Sequence, residues 1–222
     1  MDPTDASRVK ICCIGSVAEA WLAIRHGAAA VGLVSAMPSG PGVITEEVIA
    51  RIAAAVPPPV ATFLLTCEQD AAALVAQQRR LGATTLQLCD CVAEGAYARL
   101  REALPGIRLV QVVHVTGEAS VAEAVAAAPH VDALLLDSGS PTAAVKELGG
   151  TGRVHDWTIS RRIREQVARP VFLAGGLTPA NVRPAIDQVG PFGVDVCSGV
   201  RTAGRLDEAK LVAFMASAGG AA

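Results

Sequence analysis

The chain has 222 residues, a formal net charge of −2 and 51% hydrophobic residues. A nearly neutral chain has no broad basic surface for nucleic acid, and 3% aromatic residues leave few rings for stacking on bases. No apolar stretch is long enough to span a bilayer, and the N-terminus lacks the features of a secretory signal. Six cysteines without an export signal indicate cytoplasmic thiols. We therefore expect one soluble, cytoplasmic domain over residues 1–222, with no nucleic-acid or membrane partner.

Short apolar runs alternate along the chain with longer segments that have helical spacing. The runs predict eight strands, at 9–14, 30–34, 59–65, 85–89, 107–113, 131–136, 170–174 and 193–197. The segments between them predict eight helices, at 17–26, 45–55, 68–81, 92–103, 119–127, 157–168, 179–187 and 207–217. Several strands are apolar throughout, as parallel strands covered on both faces are. Eight such units favour the (β/α)₈ TIM barrel, an α/β fold, over a doubly wound sheet, because no Gly-x-Gly-x-x-Gly follows the first strand.

Two groups with acid/base chemistry lie at the ends of predicted strands, where a TIM barrel forms its active site. Cys12 ends the first apolar run and Asp137 closes the sixth, so a thiol and a carboxyl should reach the same face. Side chains alternate along a strand, and we therefore expect only one of Cys12 and Cys13 to point inward. A cysteine in an apolar strand is more often a small core residue, which is the alternative for Cys12.

Two glycine-containing segments predict a phosphate site. Gly175 and Gly176 end the seventh strand before a helix, and Ser198 and Gly199 follow the eighth strand. Glycines let backbone N–H groups approach an anion, and the loops after strands 7 and 8 are the usual phosphate position in a TIM barrel. Glycines that serve only tight turns are the alternative.

Six segments, in order from about residue 9 to about residue 215, resemble phosphoribosylanthranilate isomerase. They are Lys10-Ile11-Cys12, Gln87-Leu88, Leu135-Leu136-Asp137, the Gly-Gly-Thr-Gly…Asp-Trp stretch at 149–157, Leu-Ala-Gly-Gly-Leu at 173–177, and Gly-Val-Asp-Val-x-Ser-Gly-Val at 193–200. The resemblance implies a cytosolic TIM-barrel enzyme of tryptophan biosynthesis. Such an enzyme converts N-(5-phosphoribosyl)anthranilate to a 1-deoxyribulose phosphate by an Amadori rearrangement, without metal or organic cofactor.

The resemblance places the general base on Cys12 and the general acid on Asp137. The residue types suit this chemistry, because a carboxylic acid can protonate the ring oxygen and a thiolate can remove the proton on C2. A nearby cation such as Lys10 would favour the thiolate, although the sequence leaves open whether Lys10 faces Cys12.

Several departures from the family pattern fall in the predicted site. The family's Pro-x-Ser-Pro-Arg, whose arginine holds the anthranilate carboxylate, is Pro-Ser-Gly-Pro-Gly at 38–42, so Gly42 replaces that arginine. Cys13 and Gly15 replace a glycine and a threonine, and Cys197 replaces a serine. Cys89 and His114 stand where the family has other polar residues. We expect Gln87, Cys89 and His114 to line the rest of the substrate pocket, and a different phosphoribosyl amine is an alternative substrate.

Two other functions stay open from the sequence. Cys12 or Cys13, Cys89, His114 and Cys197 are soft ligands that could converge on zinc or iron, although their spacing follows no known motif. The chain could also bind a sugar phosphate without turnover. We predict no metal and no cofactor, a small phosphoribosyl molecule as substrate, and a monomer or homodimer.

Overall fold

A computed structural model describes residues 8–140, 142–150 and 152–219, and within them eight parallel strands close into a barrel. Each strand pairs with the next along the chain, and the first strand pairs with the eighth. The TIM-barrel prediction is confirmed. The strands are β1 (Arg8–Ile11), β2 (Ala30–Val34), β3 (Ala61–Thr66), β4 (Thr85–Leu88), β5 (Arg108–His114), β6 (Ala133–Asp137), β7 (Val171–Leu173) and β8 (Gly193–Val196).

Helices follow the strands and cover the outside of the barrel. They are α1 (Val17–Arg25), α2 (Glu46–Ala55), α3 (Ala71–Leu81), α4 (Ala96–Ala103), α5 (Ala119–Ala127), α6 (Trp157–Gln166), α7 (Val182–Val189) and α8 (Glu208–Gly219). A short antiparallel hairpin of β9 (Arg201–Thr202) and β10 (Arg205–Leu206), which the sequence did not predict, precedes α8. None of the helices in the described part of the chain is long and apolar enough to cross a membrane.

Two apolar clusters form the core, and the alternation of side chains separates them. Along β6, Leu134 and Leu136 pack outward against the helices, whereas Ala133 and Leu135 pack inside the barrel. Along β1, Val9 and Ile11 belong to the outer cluster and Cys12 to the inner one. The β1 and β6 patterns therefore direct Cys12 and Asp137 toward the barrel axis.

Candidate active site

A cavity opens at the C-terminal ends of the strands, and most of the predicted site residues line it. Its wall includes Cys12, Gln87 and Asp137, together with Gly175, Gly176 and Ser198. The other lining residues are Cys13, Val34, Met37, Ser39, Gly40, Pro41, Leu65, Leu148, Gly149, Gly150, Gly152, Ala174, Leu177, Asp195 and Cys197. Residues from the first and sixth strands thus meet at one cavity, as the strand-end argument requires.

Cys12 continues β1 into the cavity wall and is held there by the closure of the barrel. Its backbone N–H donates to the carbonyl of Val196 over 2.8 Å, which extends the pairing of β1 with β8. A Cβ placed on Gly32 of β2 would lie 2.9 Å from the Cys12 Sγ and 3.1 Å from the Lys10 Nζ. The thiol and the ammonium therefore occupy the same side of β1, directly beside the glycine of the neighbouring strand. Lys10 does face Cys12.

Lys10 is fully buried and forms an ion pair with Asp195, with Nζ 2.8 Å from Oδ1. Burial alone would lower the pKa of Lys10, but the negative charge of Asp195 and the nearby thiols Cys12 and Cys13 outweigh it and leave the pKa raised. Lys10 therefore keeps its positive charge inside the barrel. The pairing of Lys10 with Asp195 has no local sequence signal and is revealed only by the register of β1 against β8.

Cys13 also lines the cavity, so the prediction that only one of the two adjacent cysteines points inward is wrong. The strand β1 ends at Ile11, and Cys13 adopts a left-handed backbone with φ of 61°, which breaks the alternation. Arg201 stabilises this turn because its guanidinium donates to the carbonyls of Cys12 and Cys13 over 3.1 and 2.5 Å. The family's glycine at this position would adopt the same backbone without strain.

Asp137 closes β6 and reaches the cavity from the side opposite β2. Its Oδ1 accepts the backbone N–H of Ser138 over 2.7 Å. A Cβ on Gly149 would lie 2.6 Å from its Oδ2, so the loop after β6 needs a glycine to pass over the carboxyl. The carboxyl is thereby held between its own strand end and the following loop.

The predicted phosphate segments pack closely against neighbouring loops. Gly175 and Gly176 both have left-handed backbones, with φ of 82° and 63°. A Cβ on Gly176 would lie 2.7 Å from the carbonyl of Arg153, and Gly199, which does not line the cavity, packs against the carbonyl of Leu177. These glycines are therefore required for close packing of the loops, in addition to any role in binding a ligand.

Asn181 fixes the loop that carries Gly176. Its Oδ1 accepts the N–H of Thr178 over 2.7 Å, and its Nδ2 donates to the carbonyl of Gly176 over 3.0 Å. No local sequence signal indicates this role, because an asparagine before a helix usually caps the helix itself.

The loop after β2 forms the wall where the family's arginine would lie. Gly42 has φ of 82°, and a Cβ at this position would lie 2.5 Å from the Cβ of Cys13. Ser39 donates to the carbonyl of Lys146 over 2.6 Å, which joins this loop to the one after β6. Among the described residues, neither an arginine nor a lysine lines the cavity. The missing cation is therefore not replaced from another loop.

Cys89 and His114 do not reach the cavity wall, so the geometry gives no support to the prediction that they contact the substrate. The Cys89 side chain is 1% exposed and its thiol lies 3.7 Å from the carbonyl of Gln87. Burial raises the pKa of Cys89. The Nε2 of His114 lies 3.0 Å from the carbonyl of Cys89, and Gln87 alone of the three lines the cavity.

The proposed convergence on a metal is not formed either. The described ranges contain no group of three or more His, Cys, Asp or Glu side chains placed to hold a metal ion. Cys12, Cys13 and Cys197 line the cavity, whereas Cys89 and His114 do not, and the His114 ring contacts the backbone carbonyl of Cys89 and not its thiol.

Comparison with known proteins identifies relatives over nearly the whole chain. A family profile described as N-(5'phosphoribosyl)anthranilate (PRA) isomerase matches residues 9–217. N-(5'-phosphoribosyl)anthranilate isomerase 2 of Methanosarcina mazei is 37% identical over 211 residues, covering 94% of this chain and 92% of the relative. The isomerase of Halobacterium salinarum is 38% identical over 216 residues, covering 96% and 95%.

Solved structures agree with the sequence relatives. The crystal structure of phosphoribosyl anthranilate isomerase from Thermotoga maritima has a TM-score of 0.80 at 30% identity, covering 96% of this chain and 98% of that one. A crystal structure of the isomerase in complex with reduced 1-(o-carboxyphenylamino)-1-deoxyribulose 5-phosphate has a TM-score of 0.77 at 29% identity, covering 96% and 98%. Profile, relatives and fold agree, and the chain belongs to the N-(5'-phosphoribosyl)anthranilate isomerase family.

Proposed function

We propose that this enzyme isomerises N-(5-phosphoribosyl)anthranilate by an Amadori rearrangement, in tryptophan biosynthesis. The observation that carries the proposal is that Cys12 and Asp137 line the same cavity in a member of this isomerase family. The two groups enter from β1 and β6, so a sugar held between them would meet one on each side.

Asp137 acts as the general acid and opens the ring. A proton from its carboxyl goes to the furanose oxygen while the nitrogen lone pair forms a C1–N double bond and the C1–O bond breaks. Cys12 then removes the proton from C2 as a thiolate, which gives an enolamine. Tautomerisation of the enolamine yields the C2 ketone, so the product is an isomer of the substrate and no atom is gained or lost.

Lys10 supports this role of Cys12 from below the cavity. Its buried ammonium lies beside Gly32 on the same side as the thiol, and a positive charge at that place stabilises a thiolate. Asp195 holds the ammonium in position through the 2.8 Å ion pair. Lys10 is therefore a positioning and electrostatic residue in this proposal.

The phosphate of the substrate binds between the loops after β7 and β8. Gly175, Gly176 and Ser198 line the cavity there, and backbone N–H groups with a serine hydroxyl form a donor set for an anion. Gly199 contributes through its backbone in this proposal. The anthranilate ring lies toward Met37, Leu65 and Leu148, the apolar part of the wall.

The carboxylate of anthranilate lacks the arginine that the family pattern would supply. Because no lining residue of the described chain carries a positive charge, we expect weaker recognition of that group and a raised KM. A different phosphoribosyl amine is the alternative substrate that this observation favours.

An assay with purified protein and N-(5-phosphoribosyl)anthranilate tests the proposal. Wild type should turn over the substrate, and Cys12→Ala and Asp137→Ala should each lower kcat/KM by at least ~10²-fold. Cys91→Ser is the matched control, because Cys91 is exposed and does not line the cavity. Turnover that survives both alanine substitutions would refute the mechanism, and normal kcat/KM for this substrate would remove the alternative amine.

The wider expectations follow from the same proposal. The chain acts as one domain in the cytoplasm, as a monomer or homodimer, with a small phosphoribosyl molecule as substrate and without nucleic acid or membrane as partner. It needs no metal and no cofactor, and elemental analysis of the active protein would contradict this if it found a stoichiometric metal.

A further inference from the structure

Cys13 and Cys197 bring two thiols together in the wall of the cavity. Their sulfur atoms lie 2.7 Å apart, although the residues are 184 positions apart in the chain. A disulfide bond is about 2.05 Å long, so a small movement would bring the sulfur atoms to bonding distance. Both residues line the cavity, which leaves them open to small molecules that enter it.

The surroundings of the pair shift the pKa values of the two thiols in opposite directions. The hydrogen bond with Cys13 lowers the pKa of Cys197, and the Arg201 guanidinium adds to this against the effect of burial. Hydrogen bonds with Cys12 and Cys197, together with burial, raise the pKa of Cys13. Cys197 is therefore the more easily ionised of the two thiols and Cys13 the one that holds its proton more firmly, an arrangement that suits the oxidation of a thiol pair.

We propose that Cys13 and Cys197 are an oxidative modification site, at which hydrogen peroxide converts the two thiols into a disulfide. The Cys197 thiolate attacks one peroxide oxygen, the O–O bond breaks, and hydroxide leaves, so that Cys197 becomes a sulfenic acid. The Cys13 sulfur then attacks the Cys197 sulfur, and the S–O bond breaks. The hydroxyl leaves with the Cys13 proton as water, and the peroxide has been reduced by two electrons.

The disulfide would disturb the site on two sides. Cys13 packs against Gly42 of the loop after β2, and Cys197 directly precedes Ser198 of the proposed phosphate segment. Formation of the disulfide would move the loop after β2 and the segment that contains Ser198, while Cys12 stays unmodified. We expect the oxidised enzyme to lose at least ~10-fold in kcat/KM, since small displacements in a site have large effects on rate. This effect on turnover rests on the proposed function, whereas the disulfide itself does not.

The test exposes the intact protein to hydrogen peroxide, blocks free thiols and maps the tryptic peptides by mass spectrometry. Cys12 and Cys13 fall in peptide 11–25, and Cys197 falls in peptide 165–201. Wild type and Cys12→Ala should both give the linked peptides 11–25 and 165–201, whereas Cys13→Ser and Cys197→Ser should not. A link that persists in Cys13→Ser and disappears in Cys12→Ala would assign the bond to Cys12 and overturn the proposal. So would the absence of any linked peptide from wild type.

Activity measured in parallel separates this switch from damage to the base. Wild-type activity should fall with peroxide and return with dithiothreitol, as the linked peptides disappear. Cys197→Ser should lose activity only at higher peroxide concentrations, where Cys12 itself oxidises. A disulfide that forms without loss of turnover would overturn the regulatory effect. If wild type has no isomerase activity at all, the proposed function fails, while the peptide map still tests the disulfide.

Discussion

Single residues at the end of β1 determine what the cavity can do. Lys10 is completely buried, and a charge at such a place is tolerated only because Asp195 pairs with it. Gly32 leaves the space in which the Lys10 ammonium and the Cys12 thiol meet, because any side chain there would contact both. The ion pair and the glycine therefore let the ammonium lie on the same side of β1 as the proposed base.

Gly42 packs so closely against Cys13 that a side chain at position 42 would overlap the Cys13 side chain. This contact predicts the effect on stability of restoring the family's arginine at position 42. Gly42→Arg alone should lower the free energy of unfolding by ~2–4 kcal/mol, because φ is 82° and the new Cβ would overlap Cys13. In a Cys13→Gly background the same substitution should cost ~2 kcal/mol less. Urea denaturation measures both, and the KM for phosphoribosylanthranilate should be lower in the double variant than in Cys13→Gly.

Gly82→Arg is the matched control for this pair, since Gly82 has φ of 68° but open space around its Cβ position. It therefore reports the cost of the backbone conformation without the overlap. If Gly42→Arg is no more destabilising than Gly82→Arg, or if Cys13→Gly does not relieve it, the two positions are not coupled.

At the level of elements, the loop between β7 and α7 depends on one side chain for its shape. Asn181→Ala should raise the KM for the substrate by ~10-fold with a smaller change in kcat, because the carbonyl of Gly176 and the N–H of Thr178 lose their partner. Steady-state kinetics measure the two constants.

Asp70→Ala provides the comparison, because Asp70 makes the same kind of contact at α3, accepting the N–H of Ala73 over 2.9 Å, and does not line the cavity. It should lower stability by ~1 kcal/mol and leave KM unchanged. An equal rise in KM in both variants would show that general destabilisation, not the loop, is responsible.

The order of the elements could be predicted from the sequence because apolar runs and helical spacing are local signals. The prediction placed the starts of α3, α4 and α7 a few residues too early, since the segment before Ala71 is irregular and those before Ala96 and Val182 are turns. In front of α7, the bond from Thr178 to Asn181 closes such a turn. A pattern of apolar and polar residues does not predict such side-chain contacts.

The candidate site was predictable only where it follows from strand position. Cys12, Gln87 and Asp137 line the cavity because they end strands and point inward. Cys89 and His114 also end strands, yet neither lines the cavity: Cys89 is packed in the inner apolar cluster, and the His114 Nε2 contacts its backbone carbonyl. The left-handed backbone of Cys13 and its contact with Cys197 depend on chain segments far apart in sequence, which no local pattern contains.

For the molecule as a whole, Glu19 connects the beginning of the barrel with its end and makes stability depend on pH. Burial opposes ionisation, but the N–H groups of Leu206 and Gly15 and the charge of Arg201 lower the pKa of Glu19 overall. A lowered folded-state pKa gives stability above the ordinary value of 4.5, which is lost as the pH falls through the folded-state pKa.

Glu19→Gln should therefore lower the free energy of unfolding at pH 7, and its difference from wild type should shrink as the pH falls below 4.5. Urea denaturation across this range measures the difference. Glu102→Gln, at an exposed position of α4, should follow wild type throughout. A constant difference between Glu19→Gln and wild type at every pH would show that the carboxyl acts by packing and not by charge.

The bonds from Arg201 to the carbonyls of Cys12 and Cys13 join residues 189 and 188 positions apart. During synthesis the guanidinium that fixes the backbone of the proposed base emerges 189 residues after the base itself. A ribosome-bound fragment that ends before β8 thus contains both Cys12 and Asp137 without a finished site. Isomerase activity should therefore appear only once the barrel has closed. A series of translation-arrested chains of increasing length would show at which chain length this happens.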